Sequence, residues 1–223
     1  MGSYEDAVTI LEEELNGVER AFRELSADQW RTPTLLQPLD GGKPHWTLFE
    51  LAGHFDISIG LARMLMAEPQ QGQAGRDRVS FFIFPRSEVA PVVYDYAYTM
   101  VDGKTPEQMP EVLHETFTKT VQEARSMPPD TIGPGYYALM RLDEFIPSRV
   151  VEAVVHGMDL TGALGRPTIA TQRGIAVTAA ILDELLARRT VAGRPADLAD
   201  DLAWIRAASG RAGHPDPRLP IIG

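Results

Sequence analysis

The sequence predicts a mainly α protein, an antiparallel four-helix bundle with a long connection between helices two and three and a small, largely helical C-terminal extension. Three observations favour this fold class. Apolar residues recur at spacings of three and four, capping patterns mark helix starts, and no region shows the alternation of strands. We expect residues 1–166 to form the bundle and residues 167–223 to pack on it.

Helices one and two carry the clearest signals. Helix one is predicted from Tyr4 to Leu25, because its apolar residues share one face: Val8, Leu11, Leu15, Val18, Phe22 and Leu25. Three prolines and a Gly-Gly pair predict a loop over residues 32–44. Helix two is predicted to begin at the capping-box pattern Thr47-Leu48-Phe49-Glu50 and to run to about Met66.

Residues 68–105 form a connection far longer than those that usually join bundle helices, which is typical of functional segments. Its aromatic side chains need apolar surface to pack on, which indicates a folded flap over one end of the bundle. We expect the flap to line the entrance to the functional site and to set substrate choice. The rings are Phe81, Phe82, Phe84, Tyr94, Tyr96 and Tyr98.

The second half of the chain completes the bundle. Helix three is predicted from about Glu107 to the Pro128-Pro129 pair, and helix four from Leu142 or Phe145 to Leu164. Beyond Pro167, residues 172–189 and 195–209 have helical periodicity and account for the extension.

Composition excludes several function classes. The formal net charge of -10, with Lys and Arg scattered along the chain, argues against nucleic-acid binding. No apolar run approaches the roughly 18 residues needed to span a bilayer, and the N-terminus lacks a secretion signal, so we expect a cytoplasmic protein. The chain has no cysteine, so any thiol chemistry must use a thiol from outside.

A polar stripe runs along the otherwise apolar helix four. Arg149, Glu152, His156 and Asp159 are spaced by three, four and three residues, which places them on one face. Burying a carboxylate without a partner is costly. A divalent cation bound by Glu152 and His156 would explain the stripe, with Arg149 and Asp159 as supporting or substrate-facing groups and candidate catalytic residues.

His54 completes the candidate set from helix two. It shares a face with Leu51, Ser58 and Leu61 and is therefore expected to face the core. Helical bundles build metal sites from inward ligands on facing helices. In the alternative interpretation, His54 is a core histidine hydrogen-bonded to a neighbour, and Glu152 and His156 are four residues apart by chance. The pattern alone does not decide between this interpretation and a metal site.

The other histidines are expected outside this set. His114, on helix three, could line the pocket, although a solvated or core-satisfied side chain is the simpler interpretation. We expect His45 to be structural and His214 to be exposed.

The sequence resembles the mycothiol-dependent maleylpyruvate isomerase family, a branch of the DinB-like four-helix metalloproteins. The resemblance is carried by Trp30-Arg31-Thr32-Pro33, His45-Trp46-Thr47 through His54, Arg149 through Leu160 and, more weakly, Gly210-Arg211 with Leu219-Pro220. It implies a DinB-like bundle in which His54, Glu152 and His156 bind zinc. The best-known isomerases also have a C-terminal α/β domain that contributes an arginine. Residues 171–223 are expected to be helical here, so no catalytic arginine is carried over and maleylpyruvate is not assigned as the substrate.

Two histidines and one carboxylate leave a fourth position open, as in catalytic zinc sites. The resemblance names mycothiol as the thiol. The expected function is zinc-dependent isomerisation or S-transfer on a small electrophilic substrate, by a monomer or homodimer. Two alternatives remain: a metal-dependent hydrolase that uses no thiol, and a non-catalytic, metal-stabilised binding protein.

Overall fold

The computed structural model describes residues 2–36 and 44–222, which contain seven α-helices, one hairpin and four short 3₁₀ helices. The predicted loop at 32–44 lies partly outside these residues. In chain order the elements are α1 (Tyr4–Arg23), α2 (Leu48–Ala67), α3 (Arg86–Val101), α4 (Met109–Ser126), β1 (Ile132–Pro134), β2 (Leu139–Arg141), α5 (Leu142–Ala163), α6 (Gln172–Arg189) and α7 (Asp201–Ala208).

The four predicted bundle helices are α1, α2, α4 and α5. Helices α1 and α2 each pack on both α4 and α5, and the predicted mainly α fold class is confirmed. Capping boxes begin two of the helices, with Ser3 and Asp6 at α1 and Thr47 and Glu50 at α2. The apolar face of α1 is buried in the bundle, as its 3.6-residue periodicity predicts.

Helix α3 lies inside the predicted flap, where the sequence indicated folded structure but no helix. Pro91 in its interior lacks an amide hydrogen, and no side chain caps its first turn, so the usual helix signals are missing. The helix packs on α2. A Cβ atom on Gly53 would lie 2.5 Å from the carbonyl oxygen of Ala97, so glycine permits this close approach next to His54.

The hairpin of β1 and β2, with Gly133 opposite Met140, was also not predicted. Three-residue strands are too short to show alternation in sequence. A Cβ atom on Gly133 would lie 2.1 Å from the carbonyl oxygen of Leu65. Glycine therefore lets the hairpin rest against the last turns of α2.

Helices α6 and α7 form the C-terminal part, with α6 on α5 and α7 on α6. Buried Glu14 of α1 accepts a 2.9 Å hydrogen bond from the amide of Thr171 and so fixes the start of α6. The division at residues 166 and 167 stays a prediction. None of the described helices is long and apolar enough to cross a bilayer.

Candidate metal centre

Three side chains from two helices converge inside the bundle. His54 Nε2 lies 3.0 Å from His156 Nε2 and 3.5 Å from Glu152 Oε2. His156 Nε2 lies 3.4 Å from the same carboxylate oxygen. The structure thus brings together the three residues that the sequence singled out as ligands, while metal binding by them stays a prediction.

Helix direction explains this convergence. His54 of α2 meets His156 of α5, whereas Ser58, one turn further along α2, accepts a 2.8 Å hydrogen bond from Arg149 Nη1, two turns earlier on α5. The two helices are therefore antiparallel. Glu152 and His156 are four residues apart, so both point at α2.

The three polar atoms fit the corners of a tetrahedral site. Ligands at about 2.0–2.1 Å from a tetrahedral zinc ion lie about 3.3 Å from one another. The three observed separations are 3.0, 3.4 and 3.5 Å. Without a cation, one histidine must donate to the other across the 3.0 Å contact, so the same triangle is also compatible with a simple hydrogen bond.

His156 is oriented by a charged pair behind it. Its Nδ1 lies 2.8 Å from Asp159 Oδ2, and Arg211 donates to both oxygens of that carboxylate, at 3.0 Å from Nε and 2.7 Å from Nη2. A neutral His156 that donates from Nδ1 presents its Nε2 lone pair to His54 and Glu152. His54 differs, since its buried Nδ1 has no hydrogen-bond partner among residues 2–36 and 44–222.

Arg211 is the site residue that the sequence argument missed. It follows α7 in the C-terminal part, from which no arginine was carried over. The Gly210-Arg211 pair already belonged to the family resemblance, so a weak signal existed. Its position next to Asp159 depends on the path of the chain after α7, which the sequence does not specify.

Arg149 is fully buried, and its contacts use most of its donors. Its guanidinium lies 4.6 Å from the ring centres of both Phe81 and Phe145. It donates to the carbonyl of Ser58 and, from Nε and Nη2, to the hydroxyl of Ser148. Nη2 is also 4.0 Å from Glu152 Oε1. These contacts support the interpretation of Arg149 as a supporting group over that of a substrate ligand.

The protonation of the site follows from burial and from these pairs. Burial, helped by the neighbouring His156, lowers the pKa of His54 to about 4, so His54 is neutral at pH 7. Burial opposes ionisation of Glu152, but contacts with both histidines hold the pKa of its carboxyl well below the usual value. Burial likewise opposes charge on His156, yet Asp159 and Glu152 raise its pKa. Against burial, the positive charge of Arg211 lowers the pKa of Asp159 to about 2.

The candidate ligands open onto a cavity of about 1360 Å³. Five of the six aromatic residues expected at the entrance line it, namely Phe81, Phe82, Phe84, Tyr94 and Tyr96. Tyr98 does not; its hydroxyl lies 3.0 Å from that of Tyr94.

The remaining histidines lie outside the ligand cluster. His114 Nδ1 lies 3.2 Å from the carboxylate of Glu19, with nearly half of the histidine side chain exposed. His45 is exposed at the cavity wall. The expectation that His214 is exposed is wrong, because its side chain is 10% exposed and lies 3.1 Å from Asp197.

Comparison with protein families matches residues 11–161 to the N-terminal domain of mycothiol maleylpyruvate isomerase. Two crystal structures share the fold. One is a mycothiol-dependent maleylpyruvate isomerase, with a TM-score of 0.64, and the other a histidine-to-alanine variant of such an isomerase, with a TM-score of 0.65. Each is 14% identical and covers 95% of this chain and 90% of its own. Comparison with curated proteins gives no match.

Proposed function

The chain belongs to the mycothiol maleylpyruvate isomerase family, a family of enzymes, and from this premise we propose a specific chemistry. The protein holds one divalent metal ion, zinc, through His54, Glu152 and His156. It uses a low-molecular-weight thiol, mycothiol, for isomerisation or S-transfer on a small electrophilic substrate. The observation that carries the proposal is the tetrahedral spacing of the three polar atoms in the wall of a large cavity.

The donor set suits a catalytic ion. Two neutral imidazoles and one carboxylate provide three ligands and leave a position for an incoming molecule, unlike the four-ligand sets of structural zinc. A divalent ion held there supplies positive charge that favours the thiolate form of an approaching thiol.

The charge balance of the site supports an anionic reactant. The carboxylates of Glu152 and Asp159 balance the guanidinium groups of Arg149 and Arg211. A divalent cation would therefore leave an excess of positive charge in a largely buried space, where electrostatic interactions are strong. A thiolate, or the negative charge that develops on an attacked carbonyl compound, would offset this excess.

The chain's own residues have positioning roles in the proposal. Asp159 and Arg211 hold His156 with Nε2 toward the site. Arg149 stabilises the ionised form of Glu152 and is itself held by Ser58 and Ser148. Since the chain has no cysteine, the sulfur must come with the cosubstrate.

The proposed reaction balances without an oxidant. The thiolate sulfur forms a bond to one carbon of an electron-poor alkene, and the π electrons move to the conjugated carbonyl. The former carbon–carbon double bond is now single, so rotation about it is possible. Return of the electrons from the carbonyl then cleaves the C–S bond, restores the alkene in the other geometry and releases the thiolate. If a proton adds to the second carbon instead, the sulfur stays attached and the product is a thioether.

We further propose that the protein acts in the cytoplasm as a monomer or homodimer. A thiol cosubstrate stays reduced in that compartment, and a chain without cysteine needs no oxidising one.

The proposal is tested by metal analysis and by cobalt spectroscopy with mycothiol. Purified or zinc-reconstituted protein should carry about one equivalent of metal, and His54→Ala and His156→Ala should each lose it. His114→Ala is the matched control, because this histidine faces solvent with Glu19. In cobalt-substituted wild type, mycothiol should produce a thiolate-to-cobalt charge-transfer band, absent from His156→Ala.

Two results would refute the proposal. If the protein binds no metal even after reconstitution with zinc, the proposed metal centre is refuted. If saturating mycothiol does not change the cobalt spectrum, thiol chemistry at the metal is refuted. Hydrolysis by metal-activated water is then the better hypothesis.

A further inference from the structure

The cavity at the candidate metal centre extends in two directions. At about 1360 Å³ it exceeds the roughly 300–1000 Å³ typical of small-molecule sites. Since α2 and α5 are antiparallel, the direction from His54 toward the end of α2 is also the direction from His156 toward the start of α5. The opposite direction leads to the end of α5 and to the C-terminal part of the chain.

We call the first direction the aromatic arm, defined by Ile57, Leu61, Met64, Phe81, Tyr136 and Tyr137. The three α2 residues continue the face of His54 at helical spacing, and Met64 lies about 15 Å along the axis from it. The two tyrosines form the hairpin tip, where their rings contact each other at 4.7 Å. Met64, Tyr136 and Tyr137 are all exposed, so apolar surface continues to the mouth of the arm.

Three described cations lie next to this arm, and each already has contacts within the protein. Arg149 lies between two phenylalanine rings and donates to Ser58 and Ser148. Arg76 lies 4.9 Å from the ring centre of Tyr137 and donates to a backbone carbonyl. Arg78 pairs with a glutamate at 3.0 Å. Arg76 has no carboxylate partner among the described residues, but it lies against Tyr137 at the mouth of the arm. Away from that ring, a carboxylate in the arm would lose water without gaining a free cation among the described side chains, which is unfavourable.

The opposite direction has the reverse character. We call it the arginine arm, defined by Arg166, Arg206 and Arg211. Arg211 is paired with Asp159, whereas the guanidinium groups of Arg166 and Arg206 have no hydrogen-bond or ion-pair partner within residues 2–36 and 44–222. Charged or strongly polar groups of a bound molecule are therefore expected to bind in the arginine arm and not in the aromatic arm.

We infer that the electrophilic substrate carries a neutral, apolar group of about the size of an aromatic ring, which binds in the aromatic arm. Tyrosine and phenylalanine rings provide offset or edge contacts to such a group, and Met64 adapts to its shape. The inference rests on the proposed function for the identity of the reactive centre. The preference of the arm itself is measurable without thiol, turnover or reaction.

The test uses two ketones that cannot react with a thiol at a double bond and that differ by one carboxylate: 4-phenylbutan-2-one and 4-(3-oxobutyl)benzoate. Binding to zinc-loaded wild type is measured by ligand-observed NMR titration. The neutral ketone should bind at least about tenfold more tightly. Met64→Arg places a cation at the arm and should reduce that preference about tenfold or reverse it.

Val92→Arg is the matched control, since Val92 is an exposed apolar residue of α3 outside the cavity wall. It should leave the preference unchanged. Tyr136→Ala, which adds no charge, should weaken binding of the neutral ketone about three- to tenfold and should weaken binding of the benzoate less.

Equal binding of the two ketones, tighter binding of the benzoate, or no binding of either would overturn the inference. A preference for the neutral ketone that Met64→Arg and Tyr136→Ala leave untouched would overturn its placement in this arm. None of these results depends on mycothiol, whereas failure of the proposed function appears in the metal analysis and the cobalt spectrum. The two failures are therefore distinguishable.

Discussion

Replacing Asp159 by asparagine tests how the candidate centre is held together. The side chain keeps its shape but loses the charge that faces His156 Nδ1 at 2.8 Å and Arg211 Nη2 at 2.7 Å. A hydrogen bond to a charged group contributes about 1.5–3 kcal/mol and a neutral one about 0.5–1.5 kcal/mol. The difference of about 1–1.5 kcal/mol corresponds to about a 5- to 13-fold loss of zinc affinity.

The assay is competition for zinc against a chromophoric chelator near pH 7.5, where the carboxyl of Asp159 is ionised because its pKa is about 2. Asp197→Asn is the matched control, as it removes the same charge from a pair with His214, in which the aspartate side chain is 72% exposed. Thermal unfolding of each metal-free variant, followed by circular dichroism, shows whether the folded state is kept.

Asp159→Asn should weaken zinc binding, while Asp197→Asn should not. The reasoning fails if folded Asp159→Asn binds zinc as tightly as wild type, or if both variants lose affinity equally. In the first case the aspartate is no more than a structural partner of Arg211. In the second, the effect belongs to the overall charge of the chain and not to His156.

Three further results are expected. Gly53→Ala should lower the free energy of unfolding by about 1–3 kcal/mol in urea titrations, because its Cβ would lie 2.5 Å from the carbonyl oxygen of Ala97. Gly60→Ala in the same helix should raise the free energy of unfolding by about 0.5–1 kcal/mol, because the nearest atom to its added Cβ, in Thr116, would lie 3.8 Å away. Equal changes in stability for the two variants would contradict this packing. Burial raises the pKa of Glu14 despite its hydrogen bonds to Thr171. The contribution of Glu14 to the free energy of unfolding is therefore fully present below the unfolded pKa near 4.5 and is lost as the pH rises through the folded pKa. The free energy of unfolding of Glu14→Gln should therefore increase relative to that of wild type as the pH rises above about 4.5, and a difference independent of pH would refute the assignment. Removing metal with a chelator should lower the melting temperature by about 5–10 °C, since an ion at 100 times its Kd adds about 2.7 kcal/mol, and an unchanged melting temperature would argue against a bound ion.

The helices that carry the candidate ligands could be predicted because their signals are local. A capping box at Thr47 and an apolar period of 3.6 define α2, and the spacing of Glu152 and His156 places both on one face of α5. Helix α3 was missed for an equally local reason. Pro91 and the absence of a side-chain cap conceal a helix that its packing on α2 stabilises.

The sequence by itself determined the mainly α fold class, the inward face of His54 and the grouping of Glu152 and His156, because helical periodicity relates neighbours along one chain segment. The tertiary structure decided how those segments meet. It brought Arg211 from the C-terminal part to Asp159, enclosed Arg149 between Phe81 and Phe145, and separated an aromatic arm from an arginine arm. Those arrangements depend on packing between residues far apart in the chain, for which no spacing rule exists.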